Sequence, residues 1–160
     1  MNELAHALIS TSAFAAPSSI LEDIPDAQAH KKPAAVPHSI FAEVWHMAYW
    51  QDISLDWVSG KPTPVPEHAS EGFPSNHDEP WDQLRTRFLA GARNAAAIAN
   101  DTDRLDTIVA CPTIGNAARA MTVRDQLISL AAHNAYHLGR IVLLRQLLKN
   151  WPPPSGGYSW

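Results

Sequence analysis

His133 and His137 stand four residues apart in the apolar stretch LAAHNAYHLGRIVLL, residues 130–144. On a helix this spacing puts both imidazoles on one face, with Cβ atoms roughly 5–6 Å apart. Two imidazole nitrogens can then meet one divalent ion, each at about 2.0–2.1 Å. A third ligand has to come from another element. Of the eight histidines, His6, His30, His68 and His77 fall near a terminus or in loops, and His38 falls at the start of a helix. Only His46 joins His133 and His137 inside a long amphipathic helix. Facing helices of a bundle supply metal ligands in this way. The alternative is three histidines that pack and hydrogen-bond in a core, and spacing alone does not decide between the two.

Three neutral nitrogens with open positions would make a catalytic kind of site rather than a closed structural one. Zinc, nickel, iron and manganese all accept imidazole. Such an ion activates a water or a thiolate as nucleophile, or polarises a carbonyl oxygen. Glu43 lies one turn before His46. It is either a solvated helix charge or a pocket group that orients a ligand, acts as a base or coordinates. Trp50, one turn after His46, is placed to wall the pocket, while Trp45 and Trp57 read as core packing. Cys111, in VACPTIG, has no CxxC partner and reads as a packed or surface residue rather than a catalytic thiol.

These residues need long elements to hold them. Helical periodicity with plausible starts and stops predicts helices over about 2–15, 37–58, 78 or 80 to 100, and 122–150, with short helical pieces in PSSILEDI and PDAQAHKK. Thr122 and Asp125 form a capping-box variant at the start of the last helix, and WPPPSGG stops it. GKPTPVPEHASEGFPSNHDEP, residues 60–80, holds five prolines and reads as a long loop of the kind that covers sites. In RLDTIVACPTIGNAARAMTVRDQ, residues 106–110 have some extended character, but no partner strand is legible and the segment reads mostly as loop. The result is an all-α chain, a four-helix bundle in a single domain over residues 1–160.

Composition narrows the function. With 46% apolar and 18% charged residues the chain is globular rather than disordered. A net charge of −4 and the lack of a basic run argue against nucleic acid as a partner. No run reaches the roughly 18 apolar residues of a membrane span. The N-terminus lacks the basic region of a signal peptide. A single cysteine rules out a disulfide within the chain and fits a reducing cytoplasm.

Three segments resemble the DinB-like family, part of the DinB/YfiT-like metalloenzyme group. PHSIFAEVWHMAYW (37–50) is similar to the start of that family's second helix, with the ligand histidine at His46. HNAYHLGRIVLLRQLL (133–148) is similar to its C-terminal HxxxH helix, and WPPPSGGYSW (151–160) to the closing tail of one branch. The resemblance implies an up-up-down-down four-helix bundle, a divalent metal on His46, His133 and His137, and frequent homodimers. Some relatives are thiol-dependent transferases or isomerases using low-molecular-weight thiols, and others are described as hydrolases. The expected function is therefore metal-dependent activation of water or a small thiol toward a small-molecule substrate. The alternative is a bundle that binds metal or a small ligand without turnover. Relatives often carry Gly-Gln after the second histidine, whereas this chain has Gly139-Arg140. Facing the pocket, Arg140 would hold an anionic substrate. Facing solvent or a dimer partner it would be structural, and this second placement is the expectation.

Overall fold

A computed structural model describes residues 1–10, 14–75, 79–113 and 116–157. Three long helices carry the fold: α4 (Ile40–Val58), α5 (Trp81–Asn100) and α6 (Val123–Leu147). Three short helices precede them: α1 (Glu3–Ile9), α2 (Pro17–Ile20) and α3 (Asp26–His30). The first helix thus ends well short of the expected residue 15. The run Ser10, Thr11, Ser12 has weak helical propensity, and the Ser10 backbone is already extended, with φ −120° and ψ 174°. Residues 11–13 and 76–78, and with them Asp78 and His77, lie outside the described residues, as does the end of the tail, 158–160.

α4 starts at Ile40 rather than at the expected Pro37 because Ser39 caps it: its Oγ accepts from the Ala42 N–H at 3.2 Å. The helix packs against both α5 and α6, and most of its circumference is buried, including Glu43, His46, Gln51 and Ser54. α5 approaches closely at Gly91, where a Cβ would fall 2.1 Å from Gln51 Nε2. That amide instead donates to the Phe88 carbonyl at 3.0 Å.

Two clusters of apolar side chains fill the interior. One joins Ile20, Phe41, Leu84, Phe88, Leu138 and Ile141. The other joins Leu8, Ile53, Ala95, Leu105, Leu127 and Leu130. Each fully buried large side chain contributes about 1.5–3 kcal/mol, enough to offset a few buried polar groups between the clusters provided those groups are paired. Arg145, 1% exposed, closes the first cluster: its Nη1 donates to the Ile20 carbonyl at 2.7 Å and its Nε to the Asn150 carbonyl at 2.8 Å.

The segment expected to be loop is a β-hairpin. β1 (Ile108–Thr113) pairs antiparallel with β2 (Asn116–Thr122), in a register that sets Val109 opposite Met121 and Cys111 opposite Arg119. The pairing is irregular between Cys111 and Thr113, around Pro112, which has no N–H to give the ladder. β2 escapes sequence reading because Asn, Ala and Arg are poor strand formers. Tertiary context supplies what propensity lacks: Val109 and Cys111 are buried in the second cluster, and Ile108 faces outward. The chain is thus helical with one small sheet. Among the described residues no helix is long and apolar enough to cross a membrane.

Candidate metal centre

His46 on α4 comes together with His133 and His137 on α6. One ring nitrogen from each lies within 4.8 Å of the others. The ring centroids are 4.6–5.1 Å apart. His46 and His137 are buried, and His133 is half-buried.

The other nitrogen of each ring is occupied. His46 Nδ1 is 2.7 Å from the Gly72 carbonyl, which can only accept, so Nδ1 carries the proton. His137 Nδ1 is 2.6 Å from Glu43 Oε2. His133 Nδ1 is 3.4 Å from Asn134 Oδ1, a long contact with the same sense. With Nδ1 protonated, His46 and His137 keep Nε2 as an acceptor, and His133 presents its own Nε2 to the same point. Burial lowers the His46 pKa, and burial above all lowers that of His133 to about 4, with the neighbouring histidines adding to the effect. Both rings are therefore neutral near pH 7. Yet His46 Nε2 and His133 Nε2 face each other at 3.1 Å. Either a proton on one of them or a shared cation holds two nitrogens at that distance. Two nitrogens on one tetrahedral ion are separated by about 3.3 Å, given bonds of about 2.0–2.1 Å. The donor set therefore fits a divalent metal.

Glu43 is fully buried, and both carboxylate oxygens are engaged. Oε2 accepts from His137, and Oε1 takes Arg140 Nε at 2.9 Å and Nη2 at 2.8 Å. Burial alone would raise its pKa, but the His137 hydrogen bond and the Arg140 charge outweigh burial and hold it below the usual range. Glu43 is a carboxylate behind a histidine, the arrangement that fixes ring orientation at metal sites. Arg140 turns neither to a pocket nor wholly to solvent. It folds back on Glu43, with Nη1 3.3 Å from the Tyr136 hydroxyl.

Sequence reasoning gave residues 60–80 as a covering loop but did not single out Gly72 and Phe73 within it. The 3-10 turn Ala69–Gly72 carries the Gly72 carbonyl to His46. Phe73 stacks on His46 with centroids 4.1 Å apart, and His38 stacks on the far face of Phe73 at 3.9 Å. A Cβ on Gly72 would meet Trp50 Nε1 at 2.8 Å, so only glycine permits this approach. The one available signal was a glycine beside an aromatic inside a proline-rich loop.

A cavity of about 500 Å³ opens beside His133, between α4, α6, the hairpin and the 65–66 segment. Trp50 lines it, and so do Trp57 and Cys111, both of which also pack in the second cluster. Cys111 is buried, and burial pushes its thiol pKa up. Glu43 and Arg140 are not among the lining residues.

A helical scaffold that gathers three histidines with a carboxylate behind one of them defines a candidate metalloprotein of the all-helical kind. The chain belongs to the DinB superfamily, whose family model matches residues 13–141. The match includes His46, His133, His137 and Arg140 and stops before the WPPPSGG tail. No curated protein matches the chain.

Proposed function

We propose that this protein is a metal-dependent enzyme whose divalent ion is held by Nε2 of His46, His133 and His137. One observation carries the reading: one nitrogen of each ring lies within 4.8 Å of the others, while Nδ1 of His46 and of His137 is turned to a protein acceptor. Three ligands leave positions open, and a bound ion there supplies a Lewis acid that activates water or a small thiol. The chain's own part is to hold the rings. Gly72 and Glu43 fix two of them, and Phe73 covers the face of His46. The cavity beside His133 admits a small molecule to the open side, which favours turnover over simple metal storage. Hydrolysis and thiol S-transfer are the two reaction types in this proposal, with Zn, Ni, Fe or Mn as the ion.

The packing of α1 on α5 and α6, with α4 against both α5 and α6, supports the up-up-down-down four-helix bundle within one domain. Ile128, Tyr136, Leu143 and Leu147 are exposed on α6 and support a homodimer. The acidic net charge supports small-molecule rather than nucleic-acid partners, and the single, buried cysteine supports a cytoplasmic setting.

Protein purified without a histidine tag or nickel column should carry about one metal per chain by elemental analysis, as a mononuclear site requires. His133→Ala and His137→Ala should lose it. Full retention in both variants overturns the assignment. Metal-dependent turnover with small thiols and a haloarene, or on an ester panel, then separates transferase from hydrolase.

A further inference from the structure

The cavity beside His133 has a one-sided polarity. Trp50, Trp57, Met121 and Leu130 give it apolar walls. Its polar floor is Ser54 and Gln126, both buried, at 6% and 5% exposure. Gln126 Nε2 donates to Ser54 Oγ at 3.0 Å, and Gln126 Oε1 accepts from the Cys111 thiol at 3.8 Å. The remaining Gln126 amide proton and the Ser54 hydroxyl proton have no acceptor among the described residues. The floor therefore offers donors.

The rim adds charge of the matching sign. Arg119, exposed on β2 opposite Cys111, is the one permanently charged side chain on the lining, which holds no carboxylate. Among the described residues it forms no ion pair. A guanidinium with a free fork suits a carboxylate bidentately. An amine would find no counter-charge among the lining residues.

We propose that this cavity is the substrate site and that it selects a ring-sized apolar carboxylic acid. The apolar body lies between the tryptophans and the hairpin, and the carboxylate is held at the rim by Arg119. A volume of about 500 Å³ suits a molecule of one or two rings. The inference rests on the metal-centre reading only for the reaction; the binding preference stands on the cavity alone.

Calorimetric titration with 4-phenylbutyrate, 4-phenylbutyramide and 4-phenylbutylamine tests it. The acid should bind about tenfold or more tightly than the amide, as a charge-assisted pair provides, and the amine most weakly. Arg119→Gln should abolish the preference for acid over amide, and Arg119→Lys should keep part of it. Met121→Trp, which fills the cavity, should weaken acid and amide together, with circular dichroism confirming the fold. Repeating the titration after chelator treatment separates the two readings. A preference that survives metal removal belongs to Arg119, while metal content reports on the histidines independently. Equal binding of acid and amide, no binding of any of the three, a preference that Arg119→Gln leaves intact, or one that vanishes with the metal overturns the proposal.

Discussion

Arg140 lies one turn beyond His137 on α6, and its guanidinium returns to the Glu43 carboxylate that holds His137. A cation thus stands two contacts behind a candidate metal ligand, where relatives often place a neutral glutamine. A buried carboxylate with no partner is costly, by several kcal/mol. With Arg140 in place Glu43 stays ionised, and part of its negative charge is spent on the guanidinium rather than on His137.

Arg140→Ala should therefore cost about 1.5–3 kcal/mol of stability, the range for hydrogen bonds to charged groups, and toward the lower end because the side chain is 33% exposed. Urea unfolding checks this. Glu43→Ala should weaken metal binding about 10–100-fold, the usual effect of losing a carboxylate behind a ligand histidine. Chelator competition measures it, and an unchanged affinity would remove Glu43 from the site.

Gly72→Ala should damage the metal centre more than the fold. Its Cβ would sit 2.8 Å from Trp50 Nε1 and 3.4 Å from His46 Nδ1, so the turn must shift and take its carbonyl off His46. The expected result is a drop of about tenfold in metal affinity, the lower end for a lost outer-shell partner, with small change in unfolding midpoint. Gly139→Ala is the control. It meets nothing within 4 Å and should leave affinity alone while stabilising α6 by about 0.5–1 kcal/mol.

Cys111 should alkylate slowly. Burial raises its thiol pKa, so the thiolate fraction near pH 8 is smaller than for a free cysteine with pKa about 8.5. Iodoacetamide should react with the native protein at least about tenfold more slowly than with the unfolded chain, and the native rate should climb as pH rises past the ordinary thiol value. Equal rates in the two states would mean that burial leaves the thiol unshifted.

The histidines were legible because helical spacing is local: four residues put His133 and His137 together wherever the helix forms. His46 was legible only as a histidine in another core helix, and that it faces the pair is a matter of packing. Glu43 was visible as a neighbour of His46, but its partnership with His137 and Arg140 spans 94 and 97 residues. No local pattern encodes such a separation. The hairpin was illegible for a similar reason, since NAARAM carries no alternation and becomes a strand by pairing with β1. Gly72 and Phe73 sit in a loop whose path depends on stacking with His46 and His38, an interaction fixed only after α4 is in place.

Thr122 closes β2 and caps α6 in the same residue: its hydroxyl accepts from the Asp125 N–H at 3.0 Å, and the Asp125 carboxylate returns to the Thr122 N–H at 3.2 Å. No connecting loop separates the strand that carries Arg119 from the helix that carries His133 and His137. That side of the cavity cannot swing on a joint without unwinding the first turn of α6. The opposite side follows α4 through a turn, held by Lys61 N–H to the Asp56 carbonyl at 2.8 Å, Trp57 Nε1 to the Thr63 carbonyl at 2.7 Å and the Lys61–Asp56 ion pair at 2.8 Å. A molecule entering the cavity would thus lie between a wall that continues into α6 and a wall that continues out of α4, so both sides of its binding space are anchored in the helices that carry the histidines.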